Sequence, residues 1–112
     1  MGRAVKERSQ EFVNYILELL TPFGTVRARK MFGGYGIYLD NQMIGLIAYN
    51  ELYFKANPIT QTFYAEQGSS PFIYIKNNKE IKMSYWKVLP ETLEDDKLLE
   101  AWVKAAIISV KN

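Results

Sequence analysis

The chain contains no cysteine and no histidine. The first absence excludes disulfides, thiolate nucleophiles and cysteine-based zinc sites. The second removes the commonest general acid–base group and the commonest metal ligand. Catalysis would have to rest on carboxylates, Lys, Tyr or Ser, and Ser84 has no His to activate it. No apolar run approaches the ~20 residues of a membrane span. The opening MGRAVKERSQ has no apolar signal-peptide core. With no membrane span and no signal-peptide core, a cytoplasmic protein is the simple expectation, and nothing in the sequence calls for a cofactor. Net charge is scarce as well, at +2 from 14 basic and 12 acidic residues. A role with nucleic acid would therefore depend on where the charge lies rather than how much there is.

The length of 112 residues suits one domain with one core, and aromatics at 14% predict that large rings fill much of it. The densest information lies between Arg27 and Ala56. This stretch holds the cluster Met31-Phe32-Gly33-Gly34-Tyr35-Gly36, the tightest basic group (Arg27, Arg29 and Lys30) and most of the alternating pattern. It reads as successive antiparallel strands.

Before it, Phe12, Val13, Ile16, Leu17 and Leu20 recur at helical spacing, which predicts a helix over 9–21 capped by Ser9 and stopped by Pro22 and Gly24. Arg3, Lys6 and Arg8 make a basic, solvated end. A first strand runs from Val26 to Phe32, with Val26, Ala28 and Phe32 on one face and Arg27, Arg29 and Met31 on the other. Lys30 falls on the apolar side and must snorkel, pair or sit past a bulge. The glycines predict a turn or bulge. Strands then follow at 35–40, 43–49 and 52–56, with turns at Asn41-Gln42 and Asn50-Glu51. The strand at 43–49 is apolar on both faces, which predicts a central position with both sides covered.

Asn57-Pro58 reads as a cap followed by a first helical proline, with Ile59 and Phe63 on one face of the short helix and Gly68 as the stop. A second hairpin turns at Asn77-Asn78. The last helix starts at Glu94-Asp95-Asp96, whose acids complement its dipole. The whole is an α+β, two-layer domain spanning 1–112, an antiparallel sheet with N-terminal, middle and C-terminal helices in the order α-β-β-β(-β)-α-β-β-α.

The ordered set Arg29-Lys30-Met31-Phe32-Gly33-Gly34-Tyr35-Gly36-Ile37-Tyr38, Gly45-Leu46-Ile47-Ala48, Leu52-Tyr53-Phe54-Lys55, Gly68, Pro71-Phe72, Met83-Ser84-Tyr85, Leu93-Glu94-Asp95 and Trp102 resembles the N-terminal domain of the TfoX/Sxy family of bacterial competence regulators. The resemblance covers nearly the whole chain. It implies a secretion-chaperone-like α+β fold and a regulatory role without known chemistry. The best-known members of the family promote transcription of DNA-uptake genes together with the cyclic-AMP receptor protein. Many members carry a further C-terminal helical domain, so the chain looks like a stand-alone copy of the first. Trp86 stands where relatives commonly have Tyr, and Asn77-Asn78 where the turn commonly holds Gly.

Three sharper readings compete with structural ones. The glycine cluster lacks both phosphate-loop patterns and precedes a strand, so a turn or bulge accounts for it. Arg27, Arg29, Lys30, Lys55, Lys82 and Lys87, interleaved with Tyr38, Tyr53, Tyr85 and Trp86, could form a nucleic-acid face, or a solvated face whose charges discourage edge pairing. Glu94-Asp95-Asp96 matches no Ca²⁺ loop, and a helix start explains it.

The leading expectation is a protein-interaction domain using Arg27, Arg29, Lys30, Met31, Gly33, Gly34, Tyr35, Lys55, Tyr85 and Trp86. It binds a protein partner or a second copy of itself, through the sheet and its glycine-rich turn. The alternatives are a nucleic-acid or transcription-machinery contact and a small-molecule or catalytic site that the sequence does not display. The expected core is Phe12, Ile16, Leu46, Phe63, Leu99, Trp102 and Ile107.

Overall fold

The computed structural model describes residues 2–31 and 33–111, with side chains from residue 10 onward. The expected exposure of Arg3, Lys6 and Arg8 and the expected face of Phe32 lie outside the described residues. The elements are α1 (Gly2–Leu20), a 3-10 turn (Thr21–Phe23), β1 (Val26–Met31), β2 (Gly34–Leu39), β3 (Gln42–Ala48), β4 (Glu51–Lys55), α2 (Thr60–Glu66), β5 (Pro71–Lys76), β6 (Lys79–Lys87), α3 (Pro90–Leu93) and α4 (Asp96–Val110). Ser9 lies inside α1 rather than capping it, because the helix begins seven residues earlier, at Gly2. The strands form one six-stranded antiparallel sheet in the order β1-β2-β3-β4-β6-β5. The α+β, two-layer architecture is the one expected.

Three of the tight hairpins turn on two left-handed residues: Asp40 and Asn41 (φ 49° and 68°), Tyr49 and Asn50 (54° and 61°), and Asn77 and Asn78 (52° and 63°). Asp and Asn tolerate this region best, and paired positive φ matches the twist of the flanking strands. The first two turns therefore sit one residue earlier than the sequence suggests, and β3 and β4 begin one residue sooner. Asp40 adds a further tie. Its backbone N–H donates to the Thr25 carbonyl at 2.8 Å, and its Oδ1 accepts from the Thr25 N–H at 2.9 Å. This locks the start of β1 to the end of β2.

The helices lie on one side of the sheet. Val13, Ile16 and Leu20 from α1 and Leu99, Trp102, Val103 and Ala106 from α4 join Ile37, Leu39, Ile44, Ile47, Leu52 and Phe54 in one buried cluster. The register carries this pattern across the strands, since Ile47 pairs with Leu52 and Gly45 with Phe54. A bulge opposite Ile37 and Tyr38 lets Ile44 turn inward as well.

Trp102 is fully buried, and so is Tyr64, whose ring lies 4.6 Å from it. Tyr64 is the core residue the sequence did not single out. Its hydroxyl donates to the Lys55 carbonyl at 3.0 Å, which allows a phenol to sit at zero exposure. Ile59 is 80% exposed, so it and the half-buried Phe63 do not share a covered face. The inward side of α2 is set one residue on, by Thr60 and Tyr64, and Thr60 Oγ1 lies 2.7 Å from Ser109 Oγ on α4. Phe12, Phe63 and Ile107 are only half-buried, packed at the rim of the cluster.

Leu46 is a larger departure. It pairs with Gly36 and Tyr53 and alternates away from the helices, so it is half-buried on the opposite face. β3 is central as expected, but none of the described helices covers its second side, where the sequence predicts cover on both.

Candidate functional site

The face left free by the helices collects residues from five strands. The register places Arg27, Arg29 and Met31 of β1 beside Gly36 and Tyr38 of β2, then Met43 and Leu46 of β3, Tyr53 and Lys55 of β4, and Tyr85 and Lys87 of β6. Strand alternation puts them on one side, with the bulge in β3 bringing Met43 to the same face as Leu46. The Arg27 guanidinium lies over the Tyr38 ring at 4.5 Å, and the Lys55 ammonium over the Tyr85 ring at 5.0 Å. Both cations thus cover aromatic carbon while keeping their charge outward. Around Gly36 the side chains of Met31, Met43 and Tyr38 close in, filling the space its missing side chain leaves. Towards β5, Tyr53 packs on Phe72 with centroids 4.8 Å apart, and Phe72 stacks on Tyr74 at 6.5 Å.

Electrostatics on this face follow from partial burial. Burial raises the Tyr53 phenol to about 12, helped by its hydrogen bond to Glu51 Oε2 at 3.1 Å and by the charge of that carboxylate. The same Glu51 pairs with Lys87 at 2.9 Å, so Lys87 is spoken for. Burial and the nearby Tyr38 push Tyr85 upward as well. These hydroxyls are neutral donors at physiological pH. Among the described residues no group of three or more His, Cys, Asp or Glu side chains converges as a metal site would need, and none of their helices is long and apolar enough to cross a membrane.

Of the residues singled out in the sequence, Arg27, Arg29, Met31, Lys55 and Tyr85 come together on this face. Lys30, Tyr35 and Trp86 do not. Lys30 pairs with Tyr35 on the helix side and stays exposed at the sheet edge. Tyr35 packs against the core, and Trp86 lies 6.5 Å from the Tyr64 ring. Trp86 is therefore a packing residue rather than a free stacking platform. Lys82 is also on the helix side, so the basic set splits between the two faces.

Gly33 and Gly34 are structural. Gly33 has φ of 79°, which favours glycine in the turn between β1 and β2. A side chain at Gly34 would run into the Ile47 carbonyl oxygen of β3. Tyr38, Tyr53 and Phe72 contribute more to the face than the sequence reading credited. Their signal was the alternation of aromatic with buried aliphatic residues in Ile37-Tyr38-Leu39 and Leu52-Tyr53-Phe54.

A second feature lies on the helix side, where α2 and the β5–β6 hairpin stand apart. The open cleft between them holds about 730 Å³ and is lined by Pro58, Gln61, Ala65, Lys82, Ser84 and Trp86 among others. Its lining is mixed and its mouth wide.

The model of the family described as the TfoX N-terminal domain matches residues 18–109. No curated protein matches the chain at a significant level. The matched span takes in every strand, α2, α3 and nearly all of α4, but only the last three residues of α1, and so contains the whole helix-free face.

Proposed function

Because the chain belongs to the TfoX N-terminal domain family, we propose that it is a non-enzymatic regulatory domain that binds a protein partner through the helix-free face of its sheet. The setting the family suggests is transcriptional control in the cytoplasm, of the kind that governs DNA uptake. The observation that carries the reading is the composition of that face. Arg, Tyr and Met are enriched at protein interfaces, and here Arg27, Tyr38, Met31 and Met43 lie together on a surface no helix covers. The rings are held by neighbouring side chains before any partner arrives, which lowers the ordering cost of binding.

The test is capture of partners from native lysate by the wild-type chain and by Met31→Asp, with circular dichroism to confirm that the variant is folded. The variant should lose the captured protein. Retention of the same partner at the same yield would sink the reading.

A second reading draws on the cations placed over Tyr38 and Tyr85, since single strands bind where bases stack on rings beside positive charge. It predicts single-stranded DNA binding that weakens steeply with salt and is lost in Arg27→Ala. Absence of any mobility shift at low salt would remove it.

A further inference from the structure

The two edges of the sheet are built differently. β1 carries Arg27, Arg29 and Lys30, all exposed, and like charges on an edge repel an approaching strand. β5, the other edge, reads Phe72-Ile73-Tyr74-Ile75 with one cation, Lys76, at its end. Ile73, Tyr74 and Ile75 are 41%, 37% and 63% exposed. An uncharged, strongly β-forming edge of this kind is a template for pairing.

The Asn77-Asn78 turn decides which backbone groups are free. In a two-residue hairpin the residues flanking the turn, here Lys76 and Lys79, form a hydrogen-bonded pair, and bonding then alternates along the strand. Lys76 and Tyr74 thus direct their backbone groups to β6. Those of Ile73 and Ile75 point away from the sheet, unpaired.

We infer that β5 pairs antiparallel with β5 of a second copy of this chain, about a two-fold axis through Tyr74, joining the two sheets into one. The sequence of the strand selects this occupant and this register. With Tyr74 opposite the partner's Tyr74, Ile73 faces the partner's Ile75 on the helix side, and each such pair exchanges both backbone hydrogen bonds. On the other face Phe72 meets the partner's Lys76, a cation beside a ring. No like charges oppose one another. Sliding two residues one way sets Ile73 against the partner's Asn77. Sliding two the other way sets Ile75 against the partner's Pro71, which has no N–H to give. The contact is isologous, so it closes at two copies, and the cationic β1 edges resist further growth. It is separate from docking on the helix-free face and stands whether or not that reading holds.

The absence of cysteine makes the test direct. Tyr74→Cys introduces a single thiol at a non-hydrogen-bonded pair on the axis, where Cα atoms stand about 4.5 Å apart, within disulfide reach. Under mild oxidation of the full chain this variant should form a covalent dimer at least about tenfold faster than Tyr49→Cys, an equally free thiol far more exposed, because only the former sits at high effective concentration. Sedimentation velocity of the unmodified chain should show a concentration-dependent dimer. The double variant Ile73→Lys, Ile75→Lys should run as a monomer. An unmodified chain that stays monomeric throughout, a dimer that survives the double variant, or cross-linking of Tyr74→Cys no faster than the control would each overturn the inference.

Discussion

Trp102 is the residue on which the core most depends. Its ring meets Tyr64 at 4.6 Å and Phe63 edge-on at 5.9 Å, at zero exposure. The indole N–H finds no partner among the described residues, so packing rather than hydrogen bonding supplies its contribution. Trp102→Ala should cost about 3–5 kcal/mol in chemical denaturation. A loss well under 1 kcal/mol would mean the site can collapse or the ring is exposed in solution.

The tyrosines report on pH. The folded pKa of Tyr53 stands at about 12, above the ordinary 10, and those of Tyr64 and Tyr85 are raised too, all mainly by burial. A raised phenol favours the folded state while it is protonated. The stabilisation is whole below pH about 10 and is lost as pH rises through the folded value, where the unfolded chain holds fewer protons. Thermal stability should therefore fall between about pH 10 and 12, and Tyr53→Phe should remove part of that fall. An unchanged alkaline slope in Tyr53→Phe would contradict the burial of this hydroxyl.

At the scale of elements, the entries to α2 and α4 are each fixed by one side chain. Asn57 Oδ1 accepts from the Ile59 and Thr60 N–H groups at 2.8 and 2.7 Å, and the Asn57 carbonyl takes the Gln61 N–H at 2.9 Å. Asn57 thus caps the turn at Pro58-Ile59 that leads into α2, and the helix proper begins at Thr60, two residues later than the dipeptide predicts. Asp95 does the same for α4, its Oδ1 accepting from the Leu98 N–H at 3.0 Å. Asn57→Ala leaves two donors unpaired and should cost about 0.5–2 kcal/mol. Because Thr60 also touches Ser109, the loss should loosen α2 from α4, visible as faster amide exchange across α2. Uniform exchange in the variant and the parent would show that the cap is dispensable.

At the scale of the molecule, one layer of helices serves one face of the sheet, and the other face is finished by its own long side chains. No converging set of acidic groups occurs among the described residues. Glu94, Asp95 and Asp96 are instead accounted for by the start of α4. Chelator should leave the melting temperature unchanged, and a large drop would show that these carboxylates hold an ion that folding needs.

The sequence by itself determined the element order, the caps at Asn57 and Asp95, the Asn77-Asn78 turn and the family, because these rest on local chemistry. An Asn before Pro, an acidic N-cap or a glycine at positive φ acts within a few residues of itself. It also placed Arg27, Arg29 and Met31 on one strand face, since alternation is a property of the backbone. Tertiary structure alone decided what each face meets. Leu46 and Ile47 are equally apolar, yet α4 covers only the side on which Ile47 lies. Trp86 and Tyr85 are adjacent and aromatic, yet one packs on Tyr64 and the other opens to the free face under Lys55. Burial is settled by the partner across the gap, and no local pattern in this chain names that partner.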